Sequence, residues 1–344
     1  MKFTQFTGDM MVKVAISGYY GFKNFGDEAI LDVLVKHLKS LECNDITVFS
    51  SDIDYTAEKY NVNAVKRFNI KNVLKAIKSC DVLISGGGSL LQDVTSLKSL
   101  IYYASIIALG LLFNKKVIIF AQGIGPLKSC TAKFIVKNLL KYCSLVTVRD
   151  ENSLKIMKDF GINAELVCDP IYSLQISKQA PENSVGVQLR DFKTMNINLL
   201  NKLAQLIVNK FPDKTIEIFS LQKSQDYELS KNFESILKSF NPDLDIKIIE
   251  NDITSKISKL EYLFAMRFHA VLVALKYGVK TCAINYDVKV EKLASDANIP
   301  IISMDAHENL EEIYSKLQKL EPSDLSQFAN SKIFDWSKFD ELVI

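Results

Sequence analysis

At 344 residues, 48% of them hydrophobic and 24% charged, the chain exceeds the ~250–300 residues at which single cores stop growing, so two domains are expected. That balance excludes a disordered, collagen-like or disulfide-scaffold protein. Forty-two Lys and Arg against 40 Asp and Glu leave a net charge of +2, too little for the global field of a nucleic-acid binder, so an anionic ligand has to be held by local groups.

From Met1 to Met11 the chain mixes Lys2, Thr4, Gln5 and Asp9 without an apolar core, and reads as an extension before the first strand, not a signal peptide. Short β-branched runs then alternate with helical periodicity, the pattern of a parallel α/β fold. Val12–Ser17 reads as a strand. A glycine-rich loop leads into a helix from about Glu28 to Leu41, with Ile30, Leu34, Leu38 and Leu41 on one stripe and Asp27 as its N-cap. Ile46–Phe49 and Val82–Ser85 are the next strands, with a helix ending over Val73–Ser79 between them. The apolar run Leu100–Phe113, about 14 residues, falls short of the ~20 that span a bilayer. It reads as a buried crossover helix, with peripheral membrane contact as the other reading. Strands at Val117–Gln122, Leu145–Val148 and Glu165–Cys168 alternate with helices near Thr131–Tyr142 and Glu151–Phe160.

Ile176–Asn183 reads as a linker, after which the alternation restarts. Strands are expected at Ser184–Leu189, Thr215–Phe219, Ile246–Ile249, Tyr262–Met266 and Thr281–Tyr286. The helices between them are Asn198–Lys210, Tyr227–Phe240, a short one, and His269–Tyr277. The expected organisation is a first Rossmann-like domain over residues 1–175 and a second over 184–325, with mainly parallel sheets facing across a cleft. A helical, amphipathic tail over 326–344, ending in Trp336 and Phe339, packs back on the first domain.

Six scattered cysteines with no C-x-x-C pair, and only three histidines, point to a reduced, cytoplasmic protein with no metal site and no bound cofactor. Arginine is the rarer signal. Arg67, Arg149, Arg190 and Arg267 stand against 38 lysines, and a chain this biased toward Lys is expected to keep Arg where its planar fork is needed. Three of the four fall at strand ends, where open α/β sheets bind ligands; Arg67 reads as solvated surface.

Two glycine loops follow strands. In Gly18-Tyr-Tyr-Gly21-Phe-Lys-Asn24-Phe-Gly26-Asp27-Glu28 the spacing is neither the dinucleotide fingerprint nor a Walker A loop. Its acidic helix start suits sugar hydroxyls better than phosphate. A tight structural turn is the plainer alternative. Gly86-Gly87-Gly88, followed by Gln92 and Asp93, implies close approach of a ligand or of another chain segment, because three glycines cost backbone entropy. Gly123-Ile124-Gly125-Pro126 reads as structural. Gly21, Asn24, Asp27, Gln92 and Asp93 are therefore the candidate acceptor-binding residues. In the second half Arg190 ends a strand, Arg267 and His269 sit two apart at a strand-to-helix turn, and Lys289 follows Tyr286-Asp287-Val288. With Arg149 these form a cationic set suited to a small, highly charged donor such as a phosphorylated carboxylic acid. No Ser–His–Asp or Cys–His arrangement suggests acyl transfer, and no acidic residue stands out at a second-half strand end to hold a ribose.

Taken in order, Ser17-Gly18-Tyr19-Tyr20-Gly21 with Asn24 and Gly26-Asp27-Glu28-Ala29, Gly86 to Asp93, Gly123 to Pro126, Val148-Arg149-Asp150, Arg267-Phe268-His269-Ala270 and Tyr286 to Lys289 resemble the CsaB-type polysaccharide pyruvyl transferases. The resemblance runs from about Val12 to Lys289. It implies a GT-B-like fold and transfer of the pyruvyl group of phosphoenolpyruvate, as co-substrate, to a sugar 4,6-diol. The product is a cyclic ketal, with phosphate released. It further implies a lipid-linked cell-wall polymer precursor bearing N-acetylmannosamine as acceptor, of the kind used in surface-layer anchoring, and an enzyme working at the inner face of the membrane. Residue by residue, it implies catalytic roles for His269, Arg149 and Lys289 and donor binding by Arg267, with Asp93 on the acceptor side; Arg190 joins the donor set from its strand-end position. Where the family often has Asp-Pro-Lys, this chain has Asp287-Val288-Lys289. A nucleotide-sugar glycosyltransferase on the same fold is the alternative, since fold does not fix function.

Overall fold

The structure, a computed structural model, describes residues 12–94, 96–174, 179–192 and 195–344. The extension to Met11 and the part of the expected linker at 176–178 lie outside them. The chain divides into two compact units, one through Pro170 together with Phe334–Ile344 and the other from Ile171 to Ile333.

The first unit runs β1 (Lys13–Tyr20), α1 (Phe25–Ser40), β2 (Asp45–Ser50), α2 (Ile53–Tyr60), β3 (Asn63–Lys66), α3 (Ile70–Ser79), β4 (Val82–Ser85) and α4 (Leu97–Leu112). It continues through β5 (Lys116–Gln122), α5 (Cys130–Leu140), β6 (Leu145–Val148), α6 (Glu151–Asp159) and β7 (Glu165–Leu166) to a short 3-10 turn, Pro170–Ser173. Its seven-stranded sheet has the order β3-β2-β1-β4-β5-β6-β7, every neighbouring pair parallel. Strands covered on both faces need apolar side chains in unbroken runs, and Val14, Ala15 and Ile16 of β1, like Val82, Leu83 and Ile84 of β4, are all buried.

The second unit runs β8 (Ser184–Gln188), α7 (Ile197–Lys210), β9 (Thr215–Phe219), α8 (Lys223–Phe240), β10 (Ile246–Ile249), α9 (Ile253–Ile257), β11 (Tyr262–Ala265) and α10 (Phe268–Tyr277). It closes with β12 (Lys280–Asn285), α11 (Val288–Asp296), β13 (Ile301–Ser303), α12 (Leu310–Gln318) and α13 (Pro322–Asn330), and α14 (Ser337–Val343) belongs to the first unit. Its sheet, β10-β9-β8-β11-β12-β13, is likewise all parallel. Each sheet winds outward in two directions from a central pair, β1/β4 in one and β8/β11 in the other. Such reversal points open a crevice at the carboxyl ends of the strands.

The final segment is held to the first unit by its rings. Phe334, Trp336 and Phe339 surround Phe120 at 5.3–5.4 Å between ring centres. Trp336 also stacks on His37, which bonds Asp340 at 2.6 Å. Residues 326–333, grouped with the tail in the sequence reading, fold with the second unit instead, because α13 packs against α10. The Cα of Gly278 lies so close to Pro322 that a Cβ there would come within 2.4 Å of the proline carbonyl oxygen. Among the described residues no helix is long and apolar enough to cross a membrane.

Candidate functional site

In the first unit the reversal point is lined by the glycine loops, and what approaches the glycines is the protein itself. Tyr20 turns back across the sheet edge: a Cβ on Gly86 would lie 1.9 Å from its hydroxyl, and one on Gly18 2.3 Å from its ring. Ile30 presses on Gly87 and the Asp27 carboxylate on Gly88, while Gly21, at φ +75°, leaves no room beside Ser50 Oγ and the Asp52 amide. Of the two readings of the triple glycine, packing of another chain segment is what the geometry contains. The Gly123–Pro126 loop braces this arrangement, with Gly123 N–H donating to Gly88 O (2.8 Å) and Gly125 N–H to Leu91 O (2.8 Å).

The acceptor-side candidates share this edge, with several side chains already engaged. Helix α1 starts earlier than expected, at Phe25, and its N-cap is Asn24, not Asp27; the Asn24 side chain accepts from Gly26 N–H at 3.1 Å. Gln92 Oε1 accepts from Val94 N–H at 2.8 Å. Both oxygens of Asp93 accept backbone N–H bonds, from Lys128 and Ser129 at 2.7 Å each, which holds its carboxyl below the usual range.

Three residues not counted among the site candidates from the sequence deepen the edge. Glu28, buried in α1, accepts from Gly21 N–H (2.9 Å) and the Tyr60 hydroxyl (2.6 Å). Burial pushes its carboxyl up, against the pull of those bonds. The Tyr20 hydroxyl is fully buried without a hydrogen-bond partner among the described residues, and is pushed well up by burial and by nearby Asp27 and Glu28. Arg67 corrects the sequence reading outright. Far from solvated, it is 7% exposed, because Ser50 O and the Tyr102 hydroxyl hold its backbone inward (2.9 and 3.1 Å). Its guanidinium carbon lies 4.4 Å from the ring centre of Tyr102 and 5.0–5.3 Å from those of Phe68, Phe22 and Tyr103, a cation–π cage. Nη2 donates to the Tyr103 hydroxyl (3.3 Å), while Nε and Nη1 have no partner among the described residues. The rarity of Arg, applied to all four, was the signal that could have found it.

Arg149, one residue past β6, is the catalytic candidate that belongs to the first unit. Its Nη1 bonds the buried Asp169 carboxylate at 2.6 Å.

The other four candidates, Arg190, Arg267, His269 and Lys289, follow β8, β11 and β12 of the second unit, which are neighbours in the sheet. Gln188, fully buried at the end of β8, ties the edge by accepting Arg267 N–H (2.7 Å) on its side chain and Met266 N–H (3.0 Å) on its backbone. Arg267 is the residue before α10, and its guanidinium is clamped by Asp226: Nε to Oδ2 at 3.0 Å, Nη2 to Oδ1 at 2.7 Å. Asp226 is 0% exposed and also accepts Leu221 and Gln222 N–H (3.0 and 3.1 Å). The acidic group not foreseen at a second-half strand end is therefore present and is spent on Arg267. It escaped the sequence reading because α8 begins at Lys223, four residues earlier than expected.

Arg190 has donors to spare. Its Nη1 reaches the Tyr286 hydroxyl at 3.3 Å, and its buried Nε has no partner among the described residues. His269, half-buried, is the second residue of α10, with Phe268 edge-on at 5.3 Å. Lys289 is exposed on the first turn of α11. The family's proline would suit the first helical position; here Val288 fills it, and Asp287 caps the turn by accepting Lys289 N–H at 2.8 Å. Among the described residues no group of three His, Cys, Asp or Glu side chains is placed to hold a metal ion.

A model of the family described as polysaccharide pyruvyl transferase matches residues 24–288. No curated protein matches. Solved structures share the fold at low identity. HepE of Anabaena, in complex with UDP-glucose, aligns over 96% of this chain and 98% of its own at 12% identity and a TM-score of 0.64. UDP-GlcNAc 2-epimerase of Neisseria meningitidis, bound to UDP-GlcNAc, covers 93% and 94% at 10% identity and 0.60. A glycosyltransferase of Rickettsia africae covers 96% of each at 11% and 0.60. These likenesses establish a GT-B-like fold.

Proposed function

This chain belongs to the polysaccharide pyruvyl transferase family, and from that premise we propose that it moves the pyruvyl group of phosphoenolpyruvate onto a sugar 4,6-diol as a cyclic ketal. It is a transferase of polysaccharide biosynthesis. The observation that carries the donor is the second unit's strand edge, where Arg190, Arg267, His269 and Lys289 issue from three adjacent strands. Phosphoenolpyruvate is a phosphate and a carboxylate on one small frame, and charge-assisted bonds from Arg are the strong way to hold both. Arg190, whose Nε has no partner among the described residues, has donors to give. Arg267, pinned by Asp226, holds its guanidinium in a fixed position, and Lys289 adds a point charge.

In the proposed reaction, His269 delivers a proton to the methylene carbon, and the resulting cation at C2 is attacked by the first acceptor hydroxyl. Phosphate departs as the second hydroxyl closes the ketal. Of the two hydroxyl protons, one replaces the proton spent on carbon and the other leaves with phosphate, so the balance closes without an external reagent. Positioned acid–base groups are worth ~10²–10⁴-fold. Arg149 is the further catalytic group that the resemblance implies. The acceptor side is assigned to the first unit, where Asp27 and the loops around Gly21, Asn24, Gln92 and Asp93 offer oxygens to sugar hydroxyls. N-acetylmannosamine on a lipid-linked cell-wall precursor is the acceptor we favour, and the cytoplasmic face of the membrane the place.

A second reading draws on the fold: HepE and the epimerase are described with UDP-glucose and UDP-GlcNAc, and Arg190 with Arg267 would grip a diphosphate equally. Asp226, the buried acid of this edge, is committed to Arg267 and not open to a ribose, which favours the pyruvyl donor. The test is acceptor-dependent phosphate release from phosphoenolpyruvate, with the ketal identified on the acceptor by mass spectrometry. His269→Ala is expected to lose at least ~10²-fold in turnover. Turnover with UDP-sugars and none with phosphoenolpyruvate would transfer the assignment to the second reading.

A further inference from the structure

Helices α3, α4 and α5 lie side by side on one face of the first sheet. Their inner residues, including Val73, Ile77, Leu100, Ile107, Ala132 and Val136, share one core with the strands. Their outer residues therefore form one surface. On it Ile70, Leu112 and Phe134 are 73%, 72% and 70% exposed, and Ile101 47%. Lys71, Lys75, Lys78, Lys98, Lys133 and Lys137 stand exposed among them, and among the described residues none is in a salt bridge. These helices, of 10, 16 and 11 residues, contain no Asp or Glu, in a chain with 40 acidic residues. By contrast α1, also of 16 residues, carries Asp27, Glu28 and Asp32. The next helix of the layer, α6, brings back Glu151 and Asp159.

Water alone does not select this combination. Large apolar side chains exposed together on one face mark an interaction surface, and the lysines of these helices, unmixed with acidic residues, select an anionic one. At a lipid interface the rings and aliphatic tips enter the headgroup–acyl boundary while lysine stems extend and keep their ammonium groups at the phosphates. Helix α4 thus has two sides: Leu100 and Ile107 are buried in the core, while Ile101 and Leu112 are exposed.

We infer that the outer surface of α3, α4 and α5 is a docking face for an anionic lipid bilayer. The purpose, bringing a lipid-linked acceptor to the enzyme, rests on the function proposed above; the binding itself needs neither donor nor acceptor. The test is co-sedimentation of the full chain with vesicles of phosphatidylcholine alone and of phosphatidylcholine with phosphatidylglycerol. Binding is expected to the anionic vesicles, at least tenfold weaker to the neutral ones, and falling as salt is raised. Lys71→Glu, Lys75→Glu, Lys133→Glu and Lys137→Glu together are expected to abolish it, since each lysine near an anionic surface is worth roughly fivefold. Ile101→Glu with Phe134→Glu is expected to do the same, with the melting temperature of both variants unchanged because the altered side chains face solvent.

No binding of the wild type to anionic vesicles, or binding that survives both variants, overturns the inference. So does wild-type self-association that Ile101→Glu with Phe134→Glu abolishes, which would make this face a contact between copies. Turnover with a water-soluble acceptor, measured on the same samples, keeps the two readings apart. It is expected to be unchanged in both variants, and its absence from a wild type that binds vesicles counts against pyruvyl transfer alone.

Discussion

The two reversal points of this molecule are built on one topology and furnished in opposite ways. At β1/β4 the edge is glycine, phenol and carboxylate, and its buried acid, Glu28, accepts from a backbone amide and a tyrosine, so that burial works against its charge. At β8/β11 the edge is arginine, and its buried acid, Asp226, meets a guanidinium through two N–H bonds. A carboxylate that bonds neutral donors suits an edge that receives hydroxyls. One that clamps an arginine keeps a cation rigid at an edge that receives anions. In the function proposed above, the chemistry is divided between the edges by what each buried acid is paired with.

The comparison breaks most visibly if the clamp is removed. Asp226→Ala leaves Arg267 and two backbone amides without their acceptor, and is expected to lower the unfolding free energy by about 3–5 kcal/mol, read by urea denaturation. Next in size is the packing of the first edge. Gly21→Ala sets a methyl 2.1 Å from Ser50 Oγ and 2.4 Å from the Asp52 amide at φ +75°, and should cost about 2–4 kcal/mol by the same assay. Gly161→Ala is the control: at φ +69° with nothing within 4 Å, it should cost only about 1 kcal/mol of conformational strain. Arg190→Lys keeps the charge and discards the fork, so calorimetric affinity for phosphoenolpyruvate should fall about tenfold, near 1.4 kcal/mol.

The smallest effects are in pH. Glu28 binds its proton more tightly folded than unfolded, so its contribution is fully present below the ordinary glutamate value and is lost as pH rises through the raised folded one. Asp93, held low, contributes above the ordinary aspartate value and loses that contribution as pH falls through the lowered one. Melting temperatures across the acid range should show Glu28→Gln gaining on the wild type as pH rises, and Asp93→Asn gaining on it as pH falls.

Much of this was legible because parallel strands buried on both faces leave unbroken Val, Ile and Leu runs, and because the residue after such a run stands at the carboxyl edge. Arg149, Arg190 and Arg267 were placed that way. Short elements with little apolar content were not: β3 offers only Ala64 and Val65 as its apolar residues, and α2 is a single eight-residue helix. Side-chain commitments stayed hidden as well. Asp226 and Arg267 are 41 residues apart, and the cage around Arg67 is assembled from Phe22, Phe68, Tyr102 and Tyr103 across three segments. No local spacing encodes such meetings. Asn24 and Asp27 are both good caps, and only the backbone decides between them.

The most direct test of the division is hydrogen–deuterium exchange with and without phosphoenolpyruvate. Slowed exchange confined to the amides around Arg190, Arg267–Ala270 and Asp287–Lys289 is the result expected. Protection at Gly18–Gly21 and Gly86–Gly88 with none at the arginine edge would contradict it.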